Sequence, residues 1–298
     1  MLVSPRMLVS PMTLRLRGHD FTWDPVRPRT VVVGVLNVTP DSFADGGRFL
    51  APGAACDHAR RLFEEGADLI DVGAESTRPG SAGVPVEEEL GRLRPVLERL
   101  LKAPPCPVSV DTSKPEVAEV ALSLGAHMVN DVTGLAAGPA LARVVARHGA
   151  GLCLVHMRGT PLTMQEALGY DDLLGEVRAR LAAAVAEAEG AGVRPESICV
   201  DPGIGFGKTA THSLTLLKRV DALAPLGKPV LLGPSRKSFL GALSGLPPAE
   251  RLEGTLAACV VAVLAGAHLL RVHDVAAVRR AILVAEAVRD APSGDEAL

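Results

Sequence analysis

The chain is 298 residues long, room for one large or two average domains and for a sizeable core. Its 31 Lys+Arg against 34 Asp+Glu leave a formal net charge of -3, without the basic excess of a nucleic-acid binder. Hydrophobic residues make up 48%, yet the longest apolar run, Leu256 to Ala267, holds 12 residues, short of the roughly 20 that a membrane-spanning helix needs. Five scattered cysteines with no C-x-x-C pair argue against a disulfide framework or a zinc site. The start, MLVSPRMLVSP, sets prolines where the apolar stretch of a signal peptide would lie, so a cytoplasmic protein is expected. Because MLVSP occurs twice, residues 1–12 are expected to form a disordered extension, followed by a barrel domain over 13–290 and a tail over 291–298.

After a lead from Leu14 to Trp23 that suits a β-hairpin, eight compact apolar runs recur: 31–37, 68–74, 107–111, 127–131, 151–157, 197–201, 229–233 and 268–273. Each is short enough for a fully buried parallel strand, and most are rich in Val, Ile or Leu. Between them lie segments of helical spacing, at 53–66, 86–102, 115–124, 138–148, 171–190, 213–223 and 249–265, with 275–287 closing the series. Alternation of this kind predicts an α/β fold, a single (β/α)8 TIM barrel with a short N-terminal hairpin, or else a doubly wound open sheet.

Polar residues fall at the ends of the runs: Asn37, Glu75, Asp111, Asn130 and Asp131, His156, Asp201, Ser235 with Arg236 and Lys237, then Arg271 and His273. In a barrel these C-terminal strand ends converge on the face where active sites lie. The loops after the first two runs, Asn37 to Gly47 and Glu75 to Gly80, are long and polar, the composition of lids. Asp201 to Thr209, DPGIGFGKT, invites a nucleotide-binding reading that fails: Pro202 stands where a G-x-x-x-x-G-K-T loop needs glycine, and Lys208 where G-x-G-x-x-G needs one. Arg271 and His273 alternate on one strand and face the same way. Together with GPSRKS at 233–238 they form a cationic corner suited to a phosphorylated ligand.

Eight separated motifs carry a resemblance: GVLNVTPDSFADGG (34–47), DVGAESTRPG (71–80), SVDT (109–112), NDVTG (130–134), LVHMRGTPLTMQ (154–165), DPGIGFGKT (201–209), GPSRKSF (233–239) and RVHDV (271–275). In these the chain resembles the dihydropteroate synthase family over about residues 30–275. The resemblance implies a transferase that condenses p-aminobenzoate with 6-hydroxymethyl-7,8-dihydropterin pyrophosphate, with Mg2+ as cofactor and pyrophosphate leaving before the amine attacks. It implies pterin contacts from Asp111, Asn130, Met157, Asp201 and Lys237, and diphosphate contacts from Asn37, Ser76, Thr77, Arg78, Arg271 and His273. Asn37 would also ligate the metal, an oxygen donor suited to a hard cation. Phe43, Pro79, Phe206, Lys208 and Ser238 would form the p-aminobenzoate pocket, and Asp111, Lys237, Arg271, His273 and Arg78 the catalytic set. A homodimer through the apolar helices 255–267 and 275–287 is expected, with no nucleic-acid or membrane partner. The alternatives are a pterin-binding methyltransferase barrel serving a corrinoid protein, a sugar-phosphate aldolase or isomerase barrel, and an inactive pterin binder.

Overall fold

The computed structural model describes residues 11–39, 52–166 and 168–292. Phe43 and most of the first lid, most of the N-terminal extension, and the end of the tail lie outside the described residues. Strands β1 (Met12–Leu16) and β2 (His19–Trp23) pair antiparallel about a turn in which Gly18 takes φ 76°. Eight parallel strands follow: β3 (Val31–Asn37), β4 (Leu69–Gly73), β5 (Val108–Asp111), β6 (Met128–Asp131), β7 (Gly151–Val155), β8 (Ile198–Asp201), β9 (Leu231–Leu232) and β10 (Leu269–Val272). Their order is β8-β7-β6-β5-β4-β3-β10-β9. A parallel bridge between Val200 and Val230, with Val200 N–H donating to Pro229 O at 2.9 Å, joins the two ends and closes the barrel. That contact sets aside the open sheet.

The helices are α1 (Pro52–Glu64), α2 (Val86–Leu100), α3 (Pro115–Ser123), α4 (Ala140–His148), α5 (Leu173–Gly190), α6 (Ala210–Lys218), α7 (Ser238–Ser244), α8 (Leu252–Leu264) and α9 (Val275–Asp290). They cover the outer face of the strands, whose alternate side chains pack outward against them. Gly34 permits this closeness, since a Cβ there would sit 3.2–3.3 Å from Ala67, Leu62 and Val275. The expected helix over 213–223 is instead α6, begun by a reciprocal Thr209–His212 cap and ended at Arg219, followed by a 3-10 turn over Val220–Leu226.

Inward-facing Val31, Val33, Leu69, Met128, Cys153, Val155, Cys199, Leu231 and Leu269 make one cluster with Leu14, Leu16 and Trp23 of the hairpin. The hairpin therefore plugs the N-terminal end of the barrel. Burying each of its three large side chains contributes roughly 1.5–3 kcal/mol. The plug also dictates Gly151, because a Cβ there would lie 2.4 Å from Leu16 Cδ2. With the floor closed by apolar side chains, the polar residues of the interior face the opposite, C-terminal end.

Candidate active site

Alternation along β4 sends Leu69, Asp71 and Gly73 to one face, and Asp71 arrives inside the barrel 1% exposed. Arg271, from β10, meets it there: Nε donates to Asp71 Oδ2 at 2.6 Å and Nη2 to Asp111 Oδ2 at 2.9 Å. Asn130 Nδ2 donates to the same Asp71 oxygen at 3.3 Å. Three expected residues, Asp111, Asn130 and Arg271, are thus gathered around a fourth, Asp71, that the polar strand ends do not single out. Burial raises the Asp111 carboxyl above its ordinary value, and Arg271 opposes that rise. Gly73 keeps the space between Asp111 and Asn37 open: a Cβ there would stand 3.4 Å from Asp111 Cβ and 3.7 Å from Asn37 Oδ1.

A second group forms at the ends of β8 and β9. Asp201 is buried and accepts from Gly203 N–H at 2.7 Å; burial pushes its carboxyl up to about 6, against the pull of that N–H and of Lys237. Lys237 precedes α7 and follows Arg236, which holds φ 57°. That left-handed backbone costs on the order of 1 kcal/mol or more and persists because its surroundings fix it. Here the Arg236 guanidinium is paired with both Asp274 oxygens, its N–H donates to Thr255 Oγ1, and Arg251 donates to the carbonyls of Arg236 and Lys237. So held, the Lys237 chain crosses Gly205 and sets Nζ 3.7 Å from the centroid of the Phe206 ring, a cation–π contact. Burial lowers Lys237 to about 8, while Asp201 acts to raise it.

The glycines of 203–207 now have a physical reason. Gly203, Gly205 and Gly207 take φ of 70°, 80° and 60°, and a Cβ at Gly203 would fall 1.9 Å from His156 O, one at Gly207 2.8 Å from Arg158 O. The loop lies flat on the backbone that follows β7. Lys208 stitches the two together: buried, it donates to His156 Nδ1 at 2.9 Å, His156 O at 3.3 Å and Phe206 O at 2.9 Å. Through these three contacts Lys208 holds Phe206 in place.

The loop after β4 is anchored at its stem. Lys114 Nζ lies between Glu75 and Glu89, the latter fully buried on α2, and Arg92 donates to Ala74 O at 2.8 Å. At its tip Gly80 N–H donates to Pro161 O at 2.8 Å, tying it to the loop after β7, where Met157 is half-buried. Ser76 bonds Ser81 at 2.9 Å, and Arg78 and Pro79 are exposed. His273 Nδ1 pairs with Ser235 Oγ at 3.0 Å, and Ser238 is exposed at the start of α7. Asp131 acts locally, since its carboxylate receives the N–H of Thr133 and of Leu135 and the Thr133 hydroxyl and so shapes its own turn. Among the described residues no group of three His, Cys, Asp or Glu is arranged to hold a metal.

A sequence profile of the family described as "Pterin binding enzyme" matches residues 33–273. The chain belongs to the pterin binding enzyme family. It is 47% identical over 261 residues to a dihydropteroate synthase of Synechocystis sp., covering 87% of this chain and 90% of that one. Among solved structures it resembles the Xanthomonas albilineans dihydropteroate synthase with 4-aminobenzoic acid, at TM-score 0.86 and 45% identity, covering 95% of this chain and 100% of that one. It also resembles Burkholderia cenocepacia dihydropteroate synthase complexed with 7,8-dihydropteroate, at TM-score 0.84 and 42% identity, covering 94% and 98%. In this pterin binding enzyme the described structure joins Asp111, Asn130 and Arg271 in one polar cluster and Asp201, Lys237 and Phe206 in another. Ser76, Thr77, Arg78, Pro79 and His273 stand on the loops around them, and Ser238 opens α7.

Proposed function

We propose that this chain is a dihydropteroate synthase, joining p-aminobenzoate to 6-hydroxymethyl-7,8-dihydropterin pyrophosphate to give 7,8-dihydropteroate and pyrophosphate. The observation that carries the reading is the pair of polar clusters inside the mouth of a closed barrel, in a chain similar to synthases solved with 4-aminobenzoic acid and with 7,8-dihydropteroate. A pterin edge presents ring N–H and exocyclic amine donors, and Asp201 offers a buried acceptor for them. Asn130, Asp111, Met157 and Lys237 complete the pterin slot. Arg271 has five N–H donors, of which two are held by Asp71 and Asp111, leaving others for the diphosphate with Ser76, Thr77, Arg78 and His273.

In this mechanism the bond from the pterin methylene to the diphosphate oxygen breaks first, and its electron pair leaves with pyrophosphate. The dihydropterin ring spreads the positive charge, which the Asp111 carboxylate stabilises. The aryl amine nitrogen then forms the new C–N bond and loses a proton to solvent. Phe206, Pro79, Lys208 and Ser238 shape the amine's pocket, and the loop after β4 excludes water, which would otherwise trap the cation.

Asn37 Oδ1, across from Gly73, is the protein oxygen that would hold Mg2+, and a metal of this kind suits the site because it keeps several waters and takes most other ligands from phosphates. When bound, the metal neutralises charge on the leaving diphosphate. Among the described residues no helix is long and apolar enough to cross a membrane. The chain works in the cytoplasm as a homodimer, packed through the exposed Val261 of α8 and Leu283, Val284 and Val288 of α9. The test is pyrophosphate release by the purified protein with and without p-aminobenzoate, the pterin product being identified by mass. Release without dihydropteroate, or binding without turnover, would sink the reading.

A further inference from the structure

Beneath the polar cluster lies a cavity of about 10 Å3, lined by Asp71, Ser109, Asn130, Arg271 and apolar residues of the barrel floor. That is room for about one water molecule. Three buried polar atoms on these linings have no hydrogen-bond partner among the described residues: Asp71 Oδ1, Ser109 Oγ and Asn130 Oδ1. All three side chains are at most 4% exposed. Asp71 and Ser109 are in-register neighbours on β4 and β5 and face the same side, and Asn130 Nδ2 reaches the other Asp71 oxygen at 3.3 Å. Leaving such groups unpaired is costly, on the order of 1–3 kcal/mol each.

Their hydrogen-bonding needs are specific. Asp71 Oδ1 belongs to a carboxylate paired with Arg271, so it accepts only. Asn130 Oδ1 also accepts, because turning the amide over would set that oxygen against the Asp71 carboxylate. The Ser109 hydroxyl can donate. Two acceptors and one donor match the two O–H groups and a lone pair of one water. A cation is disfavoured, since Arg271 already neutralises Asp71.

We propose that one ordered water binds between Asp71, Ser109 and Asn130, and that Ser109 is thereby a positioning residue for pterin recognition. The water fixes the Asn130 amide in one orientation and completes the shell of Asp71, which in turn orients the Arg271 guanidinium. The role assigned to Ser109 rests on the synthase reading; the water itself does not.

The experiment combines crystal structures of the ligand-free protein and of a complex with 7,8-dihydropteroate, at a resolution that shows ordered waters, with the Ser109→Val and Ser109→Ala variants. The expected result is one peak within about 3 Å of all three atoms in both structures. Ser109→Val, which fills the cavity with a methyl group, should remove the peak and raise KM for the pterin pyrophosphate about tenfold, leaving KM for p-aminobenzoate within about twofold. Ser109→Ala should keep the peak and shift the pterin KM by about threefold or less. The proposal is overturned by an empty cavity in the wild-type crystal, by a pterin nitrogen in place of the water, or by a Ser109→Val variant of unchanged pterin KM. A wild-type protein that makes no dihydropteroate would overturn the synthase reading instead, and the crystal would still answer for the water.

Discussion

Lys208→Met is the substitution that separates a lysine serving the fold from one serving a ligand. The wild-type ammonium donates to His156 Nδ1, His156 O and Phe206 O. Methionine keeps the length of the chain and leaves those two carbonyls without donors, at a cost of roughly 1–3 kcal/mol each, while relieving the burial of a charge. The balance depends on pH. Burial lowers Lys208 to about 7 from an ordinary 10.5. Between those values the unfolded chain holds a proton that the folded chain has released, so this group makes stability rise with pH by about 1.4 kcal/mol per pH unit; below about 7 both states are protonated and the contribution is flat. Lys237, lowered to about 8, acts in the same direction but is common to both proteins. Denaturant unfolding at pH 7 and pH 9 should therefore show the wild type gaining about 2–3 kcal/mol relative to the variant over that interval. In steady-state assays KM for p-aminobenzoate should rise about tenfold, one hydrogen bond's worth of lost placement at Phe206, with the pterin KM changed less than about threefold. A stability gap independent of pH, together with an unchanged p-aminobenzoate KM, would refute the stitching role.

Lys114→Met should leave Glu75 and the buried Glu89 unpaired; burial holds the Glu89 carboxyl above its ordinary value, so the loss of about 2–4 kcal/mol at pH 8 should shrink toward pH 5 as that group takes a proton, read by thermal unfolding. The same variant frees the stem of the loop bearing Ser76, Thr77 and Arg78, and KM for the pterin pyrophosphate should rise. Light scattering at micromolar concentration should give a mass near twice 30.9 kDa, and Val284→Glu, on an exposed face of α9, should return it to the monomer value. Chelation with EDTA should abolish turnover and added Mg2+ restore it; in Asn37→Ala the Mg2+ concentration for half-maximal rate should rise about tenfold, and a chelator-resistant enzyme would count against the metal.

The barrel was legible because buried parallel strands are written as short apolar runs, and all eight lie where such runs occur. Their polar C-terminal neighbours were legible for the same reason: a charged residue at the end of an apolar run needs a purpose. Asp71 escaped because it stands inside its run, and its partner Arg271 lies 200 residues away. The signal was available in the period of two, which puts Asp71 on the face of Leu69 and Gly73. Helix α7 escaped because it is seven residues long, with too few turns to display a 3.6-residue period. Lys208 was legible as a cation near the mouth but not as a stitch, since two of its three acceptors are backbone carbonyls, which no sequence pattern marks. Glu89 reads as an ordinary charge on a helical segment, and only packing reveals that it is fully buried beside Lys114.

The most direct measurement of the central claim is product formation by the purified chain supplied with the dihydropterin pyrophosphate, Mg2+ and p-aminobenzoate. A synthase must yield 7,8-dihydropteroate and pyrophosphate in equal amounts, with dihydropteroate absent when the aryl amine is withheld. A protein that binds the pterin substrate yet forms no dihydropteroate under these conditions would contradict it.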